Sequence, residues 1–237
     1  MFIVRRRGGL TAKALGRKLR CRASYKFLPR RREFIVNYGG KCTYANLNAN
    51  VDGNKLKAHH KMVDSGITMP KVFHKEEEVP QEAFPLLARK KYHSQGKDVI
   101  FVANRHQLEN QIEDYRYDYL IEYINKKSEY RVHVLGDYKT FVSVKFNKDG
   151  CGDPIVRSHN NGWRQIEYNG KWKDKLIELA KQAVKNLGYD FGAVDIIRRK
   201  DKLYVLEVNS SPGLEERKSN IYADYFKVEE RKARYGF

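Results

Sequence analysis

The pattern of apolar residues along the chain predicts an α+β protein. Residues 172–188 place their apolar side chains on one helical stripe that ends at a glycine. Several shorter segments instead alternate apolar with polar residues, and Gly136-Asp137 between two of them is typical of a hairpin turn. The sequence shows no internal repeat and no low-complexity linker. We therefore expect packed lobes that combine helices with sheets built largely from hairpins.

The first quarter of the chain predicts alternating strands and helices. The segment FIVRR (2–6) predicts a strand, residues 10–20 carry apolar side chains at helical spacing, and EFIVNYGG at 33–40 predicts a second strand. A second helix is expected at 54–66, where an asparagine can cap the first turn and a glycine can follow the last. The elements before this helix predict a short αβ lobe at residues 1–53.

The middle of the chain predicts mostly β-structure. FPLLARKK at 84–91 and VIFVAN at 99–104 are expected to form two paired strands around the polar turn YHSQGKD at 92–98. DYLIEYI at 118–124 predicts another short strand. YRVHVLGDYKTFVSVKF at 130–146 contains two alternating runs and predicts a hairpin.

A closing hairpin brings together acidic and amide side chains. FGAVDIIRR at 191–199 and KLYVLEVN at 202–209 predict paired strands with a short turn. Because side chains alternate along a strand, Glu207 and Asn209 project from the same face, and Asp195 is expected near them on the neighbouring strand. Carboxylate and amide oxygens are ligands that Mg²⁺ prefers. The hairpin therefore indicates a magnesium site, the alternative being acids that simply face solvent.

The turn at 92–98 adds a second candidate binding element. Its serine, glutamine, glycine and lysine offer backbone N–H groups and a cation, which can cradle a phosphate. The turn is not a Walker loop, because that motif requires GxxxxGK[ST] at the start of a helix.

The positive charge of the chain is unevenly distributed. The formal net charge is +18, and residues 1–32 hold 12 Lys and Arg residues without any Asp or Glu. The other 35 of the 47 basic residues stand against 29 acidic residues. Such a segment is either a solvated basic surface or a patch for a nucleic acid or another acidic partner, and the sequence leaves both interpretations open.

The composition disfavours membrane and secreted classes. The longest apolar runs, such as VIFVA at 99–103, are too short to cross a bilayer, and no secretory signal is visible at the N-terminus. The three cysteines lie far apart and lack the spacing of a metal site or a disulfide framework. These cysteines are Cys21, Cys42 and Cys151. A reducing, cytoplasmic location is therefore expected.

Five fragments together resemble a known superfamily. FPLLARKKYHSQGKDV, YLIEYI, SEYRVHV, GAVDII and YVLEVNSSPGL occur in the order and with the spacing seen in the ATP-grasp superfamily. The match is most similar to the branch of carboxylate–amine ligases that includes the RimK-like glutamate ligases, and it covers residues 54–214. The resemblance implies an ATP-grasp fold, with a small lobe at 54–124 and a large lobe at 125–237 gripping ATP behind the N-terminal lobe at 1–53.

The resemblance also implies a role for individual residues. Asp195, Glu207 and Asn209 match the family's ligands for one or two Mg²⁺ ions, with Mn²⁺ as an alternative metal. The positions that match contacts to ATP are Lys55 and Arg89 for phosphates and adenine, Ser94, Gln95 and Gly96 for the phosphate-covering turn, Glu122, Tyr123 and Ile124 for the adenine-reading hinge, and Glu129 for the ribose hydroxyl groups.

Three further basic residues are implied in the chemistry itself. Arg131, Lys145 and Arg157 match or lie near positions that face the phosphates or the acyl-phosphate intermediate. Three departures from the family pattern stand out. Position 89 is Arg where the family usually has Lys. His93 and Asp98 replace glycines common in the covering turn, and the N-terminal lobe is short, which leaves the acid-substrate site hard to place.

The implied reaction is ATP- and Mg²⁺-dependent formation of an amide bond. In this family ATP converts a carboxylate to an acyl phosphate, and an amine then displaces phosphate. The expected partners are small-molecule or peptide carboxylate and amine substrates. Two alternatives remain open: an ATP-grasp kinase with a hydroxyl acceptor, and a basic nucleic-acid-binding protein with a vestigial nucleotide fold.

Overall fold

The computed structural model arranges the chain as three β-sheets with helices packed around them. The structure describes residues 1–26, 30, 33–74, 78–92, 99–110, 117–147, 150, 152–158 and 161–236. Within these residues the sheets have three, four and five strands, and five α-helices accompany them. The predicted α+β class is confirmed.

A three-stranded parallel sheet with one helix forms the N-terminal end of the chain. Its elements are β1 (Phe2–Arg5), α1 (Leu10–Lys18), β2 (Arg22–Ser24) and β3 (Ile35–Tyr38), and the strand order is β2-β1-β3. The predicted strand, helix and strand are confirmed. The sequence analysis missed β2, because its three residues are too few to show an alternating pattern.

The second sheet has four antiparallel strands. This part of the chain contains α2 (Lys55–Asp64), β4 (Val72–Phe73), β5 (Leu86–Arg89), β6 (Val99–Val102), α3 (Arg105–Asn110) and β7 (Tyr119–Glu122), with strand order β4-β7-β5-β6. The expected pairing of β5 with β6 is confirmed, and residues 93–98 of the turn between them lie outside the described residues. The sequence analysis did not identify α3 or β4, since each is very short.

Local capping explains the bounds of α2. The side chain of Asn54 accepts hydrogen bonds of 3.1 Å from the backbone amides of Leu56 and Lys57. After the last turn, Gly66 adopts a left-handed conformation with φ of +81°, which a side chain would disfavour. Both predicted caps are therefore present.

The third sheet has five antiparallel strands and carries the two longest helices. Its elements are β8 (Ser128–Leu135), β9 (Lys139–Phe146), β10 (Arg164–Glu167), α4 (Lys173–Leu187), β11 (Phe191–Arg199), β12 (Lys202–Asn209) and α5 (Glu216–Tyr235), and the strand order is β10-β9-β8-β11-β12. The hairpin predicted at Gly136-Asp137 is confirmed, because β8 and β9 pair up to Leu135 and Lys139. The sequence analysis missed β10, whose side chains are mostly exposed.

The two faces of the five-stranded sheet differ in polarity. One face packs on α4 through an apolar cluster that includes Val132, Val194 and Val205. A register shift between β11 and β12 leaves Leu206 without a directly opposed residue, since Asp195 pairs with Glu207 and the next residue pairs with Val205. This irregularity keeps Val205 on the α4 face and Glu207 on the opposite face, which is the polar one.

Helix α5 joins the N-terminal sheet to the large lobe. Tyr222 and Phe226 of α5 lie in one apolar cluster with Ile3, Leu15 and Phe191. The sequence analysis did not identify α5, because its buried stripe consists largely of tyrosine and phenylalanine among many charged residues. The predicted lobe boundaries stay predictions. This single apolar cluster contains residues from both 1–53 and 125–237.

None of the helices in the described residues is long and apolar enough to span a membrane.

Candidate active site

The polar face of the five-stranded sheet aligns residues from three adjacent strands. Asp195 on β11 lies directly opposite Arg131 on β8 and, on its other side, opposite Glu207 on β12. Asn209 follows two residues after Glu207 and projects from the same face. The predicted proximity of Asp195 and Glu207 is confirmed. The cause is the antiparallel register, which the short turn between β11 and β12 fixes.

These side chains form one continuous network of contacts. The guanidinium of Arg131 binds both carboxylate oxygens of Asp195, at 2.7 Å each. The amide nitrogen of Asn209 donates to Glu207 Oε1 at 2.8 Å and lies 3.4 Å from Asp195 Oδ2. From α2, the ammonium of Lys55 lies 3.2 Å from Glu207 Oε2 and 3.2 Å from Asn209 Oδ1. The network therefore connects α2 to the sheet.

The donor set fits a hard divalent cation. Two carboxylates and one amide supply oxygen atoms on adjacent strands, and Mg²⁺ completes such a set with water and substrate phosphates. Lys55 already places a positive charge against two of the three predicted ligands, Glu207 and Asn209. The described residues contain no cluster of three or more His, Cys, Asp and Glu side chains suited to a metal. A magnesium site here therefore needs the amide oxygen of Asn209 together with the two carboxylates.

A second charged cluster surrounds Glu129 on the same face. Glu129 is only 4% exposed, and its carboxylate contacts the ammonium groups of Lys126, at 2.8 Å, and Lys145. Burial alone would raise the pKa of Glu129, but the two lysines outweigh it and hold that pKa below its usual value. Burial also lowers the pKa of Lys126, despite the nearby carboxylate. Glu129 is therefore a buried carboxylate bound by two cations.

Arg157 lies next to this cluster. Its guanidinium donates to the carbonyl of Lys126 at 3.1 Å and stacks 4.4 Å from the ring centre of Trp163. The ammonium of Lys145 donates to the carbonyl of Arg157. Burial lowers the pKa of Arg157 from its ordinary value. The structure thus groups two of the three predicted catalytic cations, Lys145 and Arg157, around Glu129, whereas Arg131 belongs to the Asp195 network.

Lys55 and Arg89 lie on α2 and β5, two elements joined by a backbone hydrogen bond. The backbone amide of Lys55 donates to the carbonyl of Lys91 at 3.2 Å, which ties the start of α2 to the end of β5. Arg89 pairs with Tyr119 across the ladder between β5 and β7. Burial raises the pKa of Tyr119, and the charges of Arg89 and Glu207 both act on this phenol. The positive charge of Arg89 therefore lies near the Tyr119 phenol, on the residue paired with it across the ladder.

The predicted hinge follows β7 and is partly engaged within the protein. The amide of Glu122 donates to the carbonyl of Lys71 at 2.8 Å, and the amide of Tyr123 donates to the carbonyl of Pro85 at 3.1 Å. The side chain of Ile124 is buried. Two backbone amides of the hinge are thus engaged within the protein, and the reading of an adenine by the Glu122 carboxylate and the other backbone groups stays a prediction. Ser94, Gln95 and Gly96 of the predicted covering turn lie outside the described residues, and their role stays a prediction.

Sequence reasoning missed two residues that support the site. Lys126 binds Glu129 from three positions earlier in the chain, and the lysine pair that one serine separates from the acid in NKKSE was the available signal. Tyr38, at the end of β3, donates to the carbonyl of Pro212 in the loop after Asn209. No local pattern indicates the hydrogen bond between Tyr38 and Pro212, because it joins residues 174 positions apart.

Comparison with known proteins gives a consistent group of similarities. Residues 52–227 match the model of the RimK-like ATP-grasp domain. A probable alpha-L-glutamate ligase of Haemophilus influenzae (strain PittEE) is 27% identical over 207 residues, which cover 76% of this chain and 64% of the relative. Probable alpha-L-glutamate ligase 2 of Hahella chejuensis (strain KCTC 2396) is 28% identical over 174 residues, covering 68% and 56%. The chain thus spans less than two thirds of the length of these relatives.

Solved structures share the fold at low sequence identity. The D-alanine–D-alanine ligase of Bacillus anthracis superposes with a TM-score of 0.67 and 14% identity, covering 98% of this chain and 97% of that one. The ATP-grasp ligase PsnB, solved with a minimal precursor, superposes with a TM-score of 0.70 and 12% identity, covering 96% and 98%. PsnB has also been solved with Mg and ADP. These similarities establish the ATP-grasp fold.

Proposed function

Because the chain belongs to the RimK-like ATP-grasp domain family, we propose that it is an ADP-forming ligase that joins a carboxylate to an amine. The observation that carries this proposal is the alignment of Arg131, Asp195 and Glu207 on adjacent strands, with Asn209 beside them and the ammonium of Lys55 of α2 in contact with Glu207 and Asn209. Cations and oxygen ligands gathered at one site can hold a nucleotide triphosphate and its metal.

Asp195, Glu207 and Asn209 would hold the metal. We propose one or two Mg²⁺ ions, with Mn²⁺ as a substitute, because all three donors are hard oxygen ligands. When bound, the metal would supply positive charge that neutralises the phosphates and a fixed orientation of the transferred group. Lys55 would then move from its present contacts with Glu207 and Asn209 to a phosphate oxygen.

The remaining residues would bind and orient the nucleotide. Arg89 of β5 and Lys55 of α2 would contact phosphate oxygens, and the hinge at 122–124 would contact the adenine. Glu129 would accept hydrogen bonds from the ribose hydroxyl groups. That contact would release Lys145 from its ion pair with Glu129 and make its charge available to the phosphates.

The proposed reaction balances with ATP as the only activating reagent. A carboxylate oxygen of the acid substrate attacks the γ-phosphorus, the bond to the β,γ-bridging oxygen breaks, and ADP leaves. The amine nitrogen then attacks the acyl carbon, loses a proton, and inorganic phosphate departs. Arg131, Lys145 and Arg157 would stabilise negative charge on the transferred group, which is the main contribution a protein makes to phosphoryl transfer.

The described part of the basic segment at 1–32 contributes two strands and a helix to the fold. Residues 2–24 of this segment fold into β1, α1 and β2, so many of its charged side chains belong to this sheet and helix. The names of the relatives give no support to a nucleic-acid or acidic partner for this segment.

We propose a cytoplasmic location, which suits the free thiols of Cys21 and Cys42.

The proposed function is tested by product analysis. The protein is incubated with ATP, Mg²⁺ and panels of amino acids and peptides, and ADP, phosphate and amide products are followed. Release of ADP and phosphate in equal amounts, together with a new amide, is the expected result. Phosphate retained on an acceptor hydroxyl would identify a kinase instead. Absence of both turnover and ATP binding would reject the proposal.

A further inference from the structure

A groove on the large lobe is lined almost entirely by cations. It lies between the loop joining β7 to β8 and the turn joining β11 to β12, and its volume is about 600 Å³. Its lining residues are Asn125, Lys126, Lys127, Lys171, Arg198, Arg199, Lys200 and Asp201. Six of these eight residues are Lys or Arg, one is acidic, and none is apolar.

Most of the groove lies outside the candidate active site, with which it shares Lys126. Arg198 extends from β11 on the face that packs against α4, and its guanidinium lies 5.3 Å from the ring centre of Trp172, the residue before α4. Asp195 projects from the opposite face of the same strand, next to Arg131. The two regions share only the loop at 125–127, in which Lys126 turns inward to Glu129.

The other lining cations are not neutralised by the protein. In the part of the chain that the structure describes, Lys126 is the one lining cation with a carboxylate partner. The five that form no ion pair there are Lys127, Lys171, Arg198, Arg199 and Lys200. Grouping unpaired like charges costs Coulomb energy, which an anionic ligand would offset. Lys171 and Arg198 are in addition held near Trp172 by cation–π contacts.

We propose that this groove binds the sugar–phosphate backbone of an RNA helix. The lining supplies no apolar pocket for the anchoring side chains of an ordinary peptide, which leaves an acidic peptide as the competing ligand that the binding test includes. Trp172 is only 8% exposed, so it cannot serve as a stacking platform for the bases of a single strand. A cation-lined surface without such features suits the backbone of a nucleic acid. Its cations can neutralise closely spaced phosphates, and the counterions of those phosphates are then released.

Two polar residues in the lining favour RNA over DNA. Asp201 is a hydrogen-bond acceptor among cations, and Asn125 can both donate and accept. A 2′-hydroxyl group can donate to the carboxylate of Asp201, whereas a phosphate can only be repelled by it. DNA lacks this hydroxyl group. The proposal goes beyond ligase activity and stands independently of it.

Direct binding measurements test the proposal without ATP or turnover. The full-length protein is titrated into a labelled RNA duplex of about 16 base pairs, a DNA duplex of the same sequence and an oligo-glutamate peptide, and anisotropy is recorded at several KCl concentrations. The groove variant combines Lys127→Gln, Lys171→Gln and Lys200→Gln. Its matched control combines Lys139→Gln, Lys181→Gln and Lys185→Gln, three exposed lysines elsewhere on the large lobe.

The expected result is that the RNA duplex binds more tightly than the DNA duplex or the peptide. The groove variant should weaken RNA binding and reduce the slope of log K against log salt by roughly two to three, about 0.9 for each lost phosphate contact. The control variant should retain the wild-type slope. Equal slopes for the two variants would overturn the proposal, and so would tighter binding of the DNA duplex or the peptide than of RNA.

Discussion

The hydroxyl group of Tyr38 donates a hydrogen bond of 2.6 Å to the backbone carbonyl of Pro212. Tyr38 ends β3 of the N-terminal sheet, and Pro212 lies three residues after Asn209, the last residue of β12. The ring of Tyr38 is buried against Phe191 and Tyr222, with ring centres 5.9 and 6.4 Å away. The short N-terminal sheet therefore holds the loop that follows the proposed metal ligands.

Loss of this hydrogen bond should loosen the loop and destabilise the protein. In Tyr38→Phe the buried carbonyl of Pro212 loses its partner, so we expect the free energy of unfolding to fall by about 1–3 kcal/mol. Urea denaturation measures this change. Tyr138→Phe is the matched control, because Tyr138 is 42% exposed and the same substitution should change stability by no more than about 0.5 kcal/mol. Equal stability of the two variants would show that the Tyr38 contact contributes nothing.

Substitution of Glu207 should remove ligase activity and leave the fold intact. Glu207→Gln keeps the shape of the side chain but removes the charge that would hold the metal, so turnover should fall by at least about 100-fold. ADP release measures turnover, and circular dichroism reports the fold. Glu178→Gln on the exposed face of α4 removes the same charge far from the site and should leave turnover unchanged. Normal turnover in Glu207→Gln would exclude this residue as a metal ligand.

The pair formed by Arg131 and Asp195 should show the cost of an unpaired buried charge. The Asp195 side chain is only 8% exposed, so Arg131→Met leaves a buried carboxylate without its bidentate partner. We expect the free energy of unfolding to fall by about 3–5 kcal/mol. The double variant Arg131→Met, Asp195→Leu removes both charges and should recover most of this loss. Urea denaturation measures the free energy of unfolding of both variants. A double variant less stable than Arg131→Met would contradict this interpretation.

The depressed pKa of Glu129 predicts a specific loss of stability in acid. Because its folded-state pKa lies below the ordinary value of 4.5, the ionised group stabilises the folded protein at pH values above 4.5. This contribution is lost as the pH falls through the folded-state pKa. The difference in free energy of unfolding between wild type and Glu129→Gln should therefore be constant near neutral pH and shrink in acid. Denaturant unfolding at a series of pH values measures this difference.

The control for this pH dependence is Glu178→Gln. Glu178 is exposed, so its difference from wild type should stay small at every pH. A difference for Glu129→Gln that does not change between neutral pH and acid would show that the carboxylate of Glu129 gains nothing from Lys126 and Lys145 in the folded state.

Much of the fold could be predicted because its signals are local. The stripe that ends at Gly188, the hairpin turn at Gly136 and the cap at Asn54 each depend on residues only a few positions apart. Elements whose signals are weak or depend on distant partners escaped prediction. Strand β2 is three residues long, and the buried stripe of α5 becomes apolar surface only where it meets Phe191 and the N-terminal sheet.

The residues of the candidate site could likewise be predicted only where their placement follows from local geometry. Alternation along one strand places Glu207 and Asn209 on the same face, and the short hairpin brings Asp195 beside them. The partner of each charge could not be read from the sequence, since a cation can pair with any acid that the fold brings within reach. Lys145 was expected to face the phosphates, and in the structure it binds Glu129.

The sequence by itself determined most of the strands, the caps of α2 and the face on which the proposed metal ligands lie, because these follow from backbone geometry over a few residues. Only the tertiary structure decided which charges neutralise one another and which stay unpaired. Arg131 is bound to Asp195, while Lys127 and Lys200 have no acidic partner among the described residues. Coulomb energies depend on distance through space, and residues distant in sequence set that distance only when the chain has folded.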